Sequence, residues 1–207
     1  EYAEQGRLDE ALAEYRRAIE LEPDNAGAHR NVGTSLGEQG KWEEAAVAYE
    51  KAIELDPDFG EAYGDLVAVY LSLDRLSDAV AAGERAIELS PNYAGAHINL
   101  GVAYNEQGRT DEAVAEWEKA VELDPDSANA RVHLGRAYGM QGRLDEARAE
   151  LQEATKIDPN NANVHFNLGR VYPLQEERGE ALAEFDETIR IEPDHAMAEY
   201  NLGIIHR

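Results

Sequence analysis

Apolar and small residues recur along the chain with a period of 34 residues. In each period, a proline follows an apolar-acidic run such as AIELDP or AVELDP. Because proline lacks an amide donor and its ring clashes with the preceding turn, each run should end a helix there. A period of this length is typical of a solenoid of helical hairpins. The in-phase prolines are Pro23, Pro57, Pro91, Pro125, Pro159 and Pro193.

Small residues also keep a fixed phase within each period. Glycine costs helix stability, so a glycine that recurs inside a helical pattern indicates the close approach of two helices. Large residues such as Leu100, Tyr104 and Trp117 alternate with the small ones. The glycine phase holds Gly33, Gly101, Gly135, Gly169 and Gly203, and one alanine phase holds Ala11, Ala45, Ala79, Ala113, Ala147 and Ala181.

Each period therefore predicts two helices and a tight turn. Over residues 94–127, the pattern predicts a first helix at about 95–107, with Leu100 and Tyr104 on one face. Gly108 then breaks the helix, and Asp111 starts the second one. Acidic residues in that first turn suit the positive end of the helix dipole.

This spaced set of Trp, Leu, Gly, Tyr, Ala, Phe, Ala and Pro positions resembles the tetratricopeptide repeat family. The resemblance spans essentially the whole chain. It implies an all-α fold, an α-solenoid of antiparallel helix-turn-helix repeats that form a right-handed superhelix. We expect one array over residues 1–207, and both ends fall inside a repeat, which predicts a fragment of a longer protein. The predicted repeats are a partial one at 1–25, full ones at 26–59, 60–93, 94–127, 128–161 and 162–195, and a partial one at 196–207.

Two repeats depart from the pattern. In repeat 60–93, Val67 replaces the packing glycine and Gly83 stands where a bulky residue is usual, so we expect looser packing or a shifted hairpin angle. In repeat 162–195, Pro173 falls late in the first helix and Glu176 replaces the turn glycine. That helix should kink or end early.

The formal net charge is -24. A chain this acidic should repel nucleic acid and anionic membrane surfaces. The sequence has no long apolar run, no basic leader and no cysteine, so neither membrane insertion nor a disulfide framework is expected. A soluble, cytoplasmic protein is the default expectation, although the compartment stays undetermined.

The resemblance further implies that the first helices line a concave surface. The first-helix segments with their turns carry a net charge of -2, which leaves -22 for the second helices and connectors. The acidity should therefore face solvent on the outside. In this family the second, fifth, sixth, ninth, twelfth and thirteenth positions of a repeat face the groove.

Asparagine dominates the sixth position. Its amide carries both a donor and an acceptor, so a row of asparagines can satisfy a peptide backbone without reading its side chains. The row resembles the asparagine ladder in the repeat arrays of O-linked N-acetylglucosamine transferases. The alternative is that asparagine is simply common in this class of repeat. The sixth residues are Asn31, Asp65, Asn99, His133, Asn167 and Asn201.

The fifth and ninth positions make the predicted groove amphipathic. We expect an extended or helical peptide to insert apolar side chains between Val102 and Phe166, and an acidic group to pair with Arg136 and Arg170. The alternative is that these arginines pair with carboxylates of the scaffold. The other groove candidates at these positions are Arg30, Thr34, Ile98, Val132 and Tyr200.

Other chemistry is not indicated. The lysines of the family's carboxylate clamp are missing from the first helices, which argues against recognition of chaperone tails. The histidines show no metal-binding spacing, and no nucleophile or phosphate-loop motif occurs, so we expect no enzyme activity, no metal and no cofactor.

The sequence thus predicts a scaffold that binds a protein or peptide partner. Two alternatives stay open. The chain could self-assemble head to tail into a homo-oligomer through its truncated repeat ends, which the apolar Ile204 and Ile205 suggest. It could also be the substrate-recruiting array of a larger enzyme such as a glycosyltransferase.

Overall fold

A computed structural model describes residues 7–172 and 177–206, and this part of the chain forms twelve α-helices without a β-strand. The chain divides into an N-terminal unit, residues 1–116, and a C-terminal unit, residues 117–207. The all-α repeat fold is confirmed. The helices are α1 Leu8–Leu21, α2 Ala26–Glu38, α3 Trp42–Leu55, α4 Gly60–Ser72, α5 Leu76–Leu89, α6 Ala94–Glu106, α7 Thr110–Leu123, α8 Ala128–Met140, α9 Leu144–Ile157, α10 Ala162–Val171, α11 Arg178–Ile191 and α12 Ala196–Ile205.

The helices follow the sequence period closely. The even-numbered helices from α2 to α12 each begin at the first residue of a predicted repeat. Within each unit, successive helices pack against each other, and so do the first helices of neighbouring repeats: α2 contacts α4, α4 contacts α6, and α8 contacts α10. The treatment of the whole chain as one array stays a prediction.

The turns inside the hairpins need a left-handed backbone. Gly40, Gly108 and Gly142 adopt φ of 72°, 76° and 76°, a conformation in which glycine has no steric penalty. Asp74 occupies the equivalent turn with φ of 57°. Aspartate tolerates this region better than most residues, because its short side chain bonds locally to the backbone. The turn geometry therefore survives the loss of glycine.

Helix α10 is three residues shorter than the preceding first helices, because it ends at Val171. Tyr172 then takes an extended conformation with ψ of 126°. This is the conformation that a following proline imposes on the residue before it. The early end predicted from Pro173 is confirmed, while Pro173 and Glu176 themselves lie outside the described residues.

A small residue on the first helix faces a large one on the second in most hairpins. A Cβ added to Gly33 would lie 2.9 Å from the Tyr49 ring. One added to Gly135 would lie 2.7 Å from Leu151 Cγ. Since real Cβ atoms do not approach other atoms so closely, the glycine lets the two helices come into contact over the large side chain.

The expectation of looser packing in repeat 60–93 is wrong. Val67 is fully buried, and a Cβ on Gly83 would lie 2.8 Å from Leu100 Cδ1. Leu100 belongs to α6, so the space beside Gly83 on α5 is filled by the first helix of the next repeat. The packing therefore stays tight although this hairpin lacks the usual bulky residue on α5.

Gly169 and Gly203 share the same repeat position, but only Gly169 meets a large side chain. A Cβ on Gly169 would lie 2.9 Å from the Phe185 ring, whereas one on Gly203 has no neighbour within 4 Å. We expect Gly169→Ala to lower the free energy of unfolding by about 1–3 kcal/mol through overpacking. Gly203→Ala should raise it by up to about 1 kcal/mol through helix propensity. Urea unfolding followed by circular dichroism measures both, and the same sign for the two variants would contradict the packing argument.

Candidate functional site

The candidate residues of the N-terminal unit lie on α2, α4 and α6. Arg30 and Asp65 form an ion pair, with Nε donating to Oδ2 over 2.7 Å. The Tyr93 hydroxyl donates to the other oxygen of Asp65 over 3.0 Å. Burial and the charge of Asp65 raise the pKa of Tyr93 to about 12, so this hydroxyl keeps its proton. Arg30 and Asp65 thus serve the packing of neighbouring first helices.

The remaining candidate residues of this unit are also partly engaged in contacts within the protein. Thr34 is exposed, and its hydroxyl shares a 3.0 Å hydrogen bond with the Tyr49 hydroxyl. Asn31, on α2, and Ile98 and Val102, both on α6, are half-buried. Ile98 and Val102 add apolar surface to the first-helix face.

Three asparagines of the sixth position donate to scaffold carbonyls. Asn99 Nδ2 donates to the Gly64 carbonyl over 3.0 Å, which joins α6 to α4. Asn167 Nδ2 donates over 2.7 Å to the Asn163 carbonyl, one turn back in α10. Asn201 makes the equivalent bond within α12. Each of these amides therefore uses a donor inside the protein. Hydrogen bonding of the asparagine row to the backbone of a peptide ligand stays a prediction.

Arg136 and Arg170 are different. Both are exposed, and neither guanidinium forms an ion pair within residues 7–172 and 177–206. They line a single depression of about 130 Å³ between α8 and α10 together with the Asn167 side chain. Met140, Leu144, Val171 and Gly139 complete its wall. The structure thus brings two unneutralised cations, one amide and an apolar wall together.

Sequence reasoning named the polar members of this depression but missed its apolar wall. Met140 stands at the thirteenth position of its repeat, which is among the positions expected to face the groove, and it is largely exposed. Leu144 and Val171 do not occupy repeat positions that are expected to face the groove. They join the depression because α9 starts, and α10 ends, beside it.

His133 is a packing residue with an altered pKa. Its ring stacks on Trp117 with centroids 5.2 Å apart and 14° between the planes. Burial, with the nearby charge of Arg136, lowers the pKa of His133 to about 4. At neutral pH this side chain is therefore uncharged, and the two arginines supply the positive charge of the face.

The apolar candidates of the C-terminal unit are unequally available. Phe166 packs on Phe185 and His195, with ring centroids 5.9 Å and 4.6 Å away, so part of it belongs to the core. Val132 is half-buried beside His133, and Tyr200 on α12 is 64% exposed. On the same helix Ile204 is exposed and Ile205 is buried. Self-association through α12 stays a prediction.

A second polar arrangement recurs at the fourth position of the repeats, and we call it the brace. His165 on α10 contacts the Pro159 carbonyl through Nε2 at 3.0 Å and Glu184 of α11 through Nδ1 at 2.7 Å. His97 makes the same two contacts with Pro91 and Glu116. A carbonyl and an ionised carboxylate only accept, so the ring donates to both when each of its nitrogens carries a proton.

Arginine builds the same brace in repeat 128–161. Arg131 Nε donates to the Pro125 carbonyl over 3.0 Å, and Nη1 donates to Glu150 over 2.5 Å. The connector, the first helix and the second helix are thereby tied together through one cationic side chain. His97 and His165 are structural, as their burial indicates.

No metal site is evident in the described part of the chain, where no group of three or more His, Asp or Glu side chains is placed to hold an ion. Among the helices that the structure describes, none combines the length and apolar character that crossing a membrane requires.

These observations define an α-helical repeat protein. Models of the family described as tetratricopeptide repeat match residues 33–94, 65–128, 106–168 and 140–200, and one described as TPR repeat matches residues 1–40. The chain belongs to the tetratricopeptide repeat family. Proteins of this family are generally non-catalytic interaction scaffolds. No curated protein sequence matches the chain significantly.

Solved structures support this assignment. The chain is 29% identical to YrrB, described as a TPR protein with an unusual peptide-binding site, over 90% of this chain and 96% of that one, with a TM-score of 0.67. It is 28% identical to MamA over 76% of this chain and 92% of that one, with a TM-score of 0.62. PilF of Pseudomonas aeruginosa, at 18% identity, 98% and 92% coverage and a TM-score of 0.83, shows the fold alone.

The brace predicts how the chain tolerates substitution at His165. We expect His165→Leu to lower the free energy of unfolding by about 1–3 kcal/mol, because Glu184 and the Pro159 carbonyl lose their donor. His165→Arg should retain most of the stability, since Arg131 fills the same position. Urea unfolding at pH 7 compares the two. Equal losses would show that the ring acts by packing alone.

The lowered pKa of His133 predicts a pH-dependent stability. Between about pH 6.5 and 4 the unfolded chain binds a proton at this residue and the folded chain does not, so stability falls as the pH falls. The loss should reach up to about 3 kcal/mol near pH 4. His133→Phe keeps an aromatic ring on Trp117 and should remove this part of the slope. Parallel pH dependences of wild type and variant between pH 6.5 and 5 would refute the assignment.

Proposed function

We propose that this interaction scaffold binds a peptide through the C-terminal unit, at the depression between α8 and α10. An acidic group of the peptide pairs with Arg136 and Arg170, and an aliphatic side chain beside it contacts Met140, Leu144 and Val171. Guanidinium groups suit this task because they donate two parallel hydrogen bonds to a carboxylate. The apolar wall excludes water next to those bonds, which strengthens them.

One observation carries the proposal. The chain contains 43 acidic residues and 19 lysines and arginines, and most described cations have a carboxylate partner. Arg136 and Arg170 are left without one although they share a wall. Two adjacent positive charges repel each other, so the arrangement is stabilised by an anion that binds both. The alternative in which scaffold carboxylates neutralise these arginines finds no support in the described residues.

The depression is small, so it holds one or two side chains of a longer ligand. Asn167 lies in its wall, with Nδ2 bonded to Asn163 and its amide oxygen directed to no protein donor in the described residues. This oxygen can accept a backbone N–H of the peptide. YrrB, which has a peptide-binding site according to its description, is similar over most of its length, and this likeness supports the same class of ligand here.

The test uses peptides selected from a random library on the whole chain, and we expect those that bind to carry Asp, Glu or a free C-terminus. The double variant Arg136→Glu, Arg170→Glu should bind such a peptide at least about 100-fold more weakly, because two charge-assisted contacts of about 1.5–3 kcal/mol each are lost. Fluorescence anisotropy measures the affinity.

The matched control is Lys156→Glu with Arg190→Glu. It changes the net charge equally but acts on exposed cations of α9 and α11 that pair with Glu153 and Glu187. The affinity of this control variant for the peptide should stay within about threefold of the wild-type affinity, since exposed ion pairs contribute little to stability. If both double variants lose affinity equally, the effect is general repulsion and the site is wrong. A third variant, Asn99→Ala with Asn167→Ala, tests the asparagine row, and full retention of binding would exclude the row as the binding element.

A further inference from the structure

The brace is incomplete in one repeat. His29 on α2 keeps the first contact, with Nε2 at 3.0 Å from the Pro23 carbonyl. The position that holds Glu116, Glu150 or Glu184 in the complete braces is Ala48 in this repeat. As a result, Nδ1 of His29 has no hydrogen-bonding partner among the described residues.

In repeat 60–93 the loss of the glutamate leaves no imidazole nitrogen without a protein partner. Its equivalent of Ala48 is Ala82, but its fourth residue is Tyr63 rather than a histidine. Among the full repeats of the sequence, only repeat 26–59 has a histidine at the fourth position together with an alanine in place of the glutamate.

Ala48 lines an open surface hollow of about 510 Å³ between α1, α2 and α3, which we call the Ala48 hollow. Val32 and Leu36 of α2 form its apolar floor beside Ala48, and Val47 stands at its edge with 66% of its surface exposed. This is a large exposure for a valine on a packed helix. The hollow thus presents an apolar surface next to an unused imidazole nitrogen.

Charged groups around the hollow are of both signs. Arg16 of α1 lines it and forms no ion pair in the described residues, while Lys51 pairs with Glu54 over 3.0 Å. Glu43 and Glu44 lie in the first turn of α3. Neither of these carboxylates bonds to His29 in the structure. An incoming carboxylate near His29 therefore has Arg16 as an unpaired cation on one side and the like charges of Glu43 and Glu44 on the other.

We propose that the Ala48 hollow binds a glutamate side chain of a partner polypeptide, whose carboxylate takes the place of the missing brace glutamate against His29 and whose neighbouring aliphatic side chains cover Val32, Leu36 and Val47. A polypeptide suits the hollow because several of its walls are open to solvent. Sites for small molecules usually enclose most of their ligand. The other braces supply the template, since in each of them a glutamate presented by a helix occupies this location.

Protonation distinguishes a glutamate from a neutral analogue. Nε2 donates to Pro23, because a carbonyl only accepts, so Nδ1 donates only when the ring carries both protons. A carboxylate stabilises that charged ring by its opposite charge as well as by a hydrogen bond, whereas the neutral amide of glutamine offers the hydrogen bond alone. The surface is separate from the Arg136 and Arg170 depression, so either proposal can fail without the other.

The probes are the tripeptide acetyl-Leu-Glu-Leu-amide and its matched analogue acetyl-Leu-Gln-Leu-amide, each titrated into the whole chain at pH 6. Nuclear magnetic resonance follows the His29 ring and the methyl groups of Val32, Leu36 and Val47. We expect the glutamate peptide to shift these signals with millimolar affinity, about what a three-residue ligand provides. The glutamine peptide should bind at least about tenfold more weakly.

Ala48→Glu is the decisive variant, because it supplies the missing brace residue from within the chain. It should abolish the shifts, whereas Arg136→Glu with Arg170→Glu should leave them unchanged. His29→Leu is the second variant. It keeps the apolar floor, folds without a charged partner, and should make the two peptides bind equally. Equal binding of both peptides to the wild type, unchanged binding to Ala48→Glu, or no shift at about 10 mM peptide would each overturn the proposal.

Discussion

The close approach of the two helices within each hairpin is the constraint on which the other features depend. A glycine facing Tyr49, Leu151 or Phe185 lets the helices touch over one large side chain. In repeat 60–93, Val67 is fully buried in place of the first-helix glycine, and Gly83 lies against Leu100 of the next repeat. The fold therefore requires close packing at these positions rather than a glycine at one given position. With the hairpin geometry maintained, equivalent residues of successive repeats occupy equivalent surroundings.

This equivalence makes each repeat a control for the others. Where His97, Arg131 and His165 do the same structural task, their common contacts explain why a histidine or an arginine recurs at that position. Where one repeat deviates, as at Ala48, the deviation exposes a group that the other repeats satisfy internally. Such differences are more informative about binding than the shared pattern, because the shared pattern is needed for packing.

The same reasoning applies to charge. Most ion pairs in the described residues join side chains three apart on exposed helix surfaces, such as Arg109 with Glu112 and Arg190 with Glu187. Pairs of this kind add little stability but neutralise the few cations of a very acidic chain. Arg136 and Arg170 fall outside this scheme. Their positive charge is concentrated on a first-helix face, where the low density of carboxylates leaves it uncompensated.

The sequence by itself determined the helices and the places where they end. Proline and glycine act on the local backbone, so their spacing specifies the repeat, and Pro173 accounts for the short α10 without reference to the rest of the chain. It also identified the residues of the first-helix faces, because those follow from the period. Only the tertiary structure decided which of them are available. Arg30 and Arg136 look alike in the sequence, yet Arg30 meets Asp65 from a neighbouring helix and Arg136 meets no carboxylate in the described residues. The contacts that separate them join residues a full repeat apart, and a local pattern carries no information about such distances.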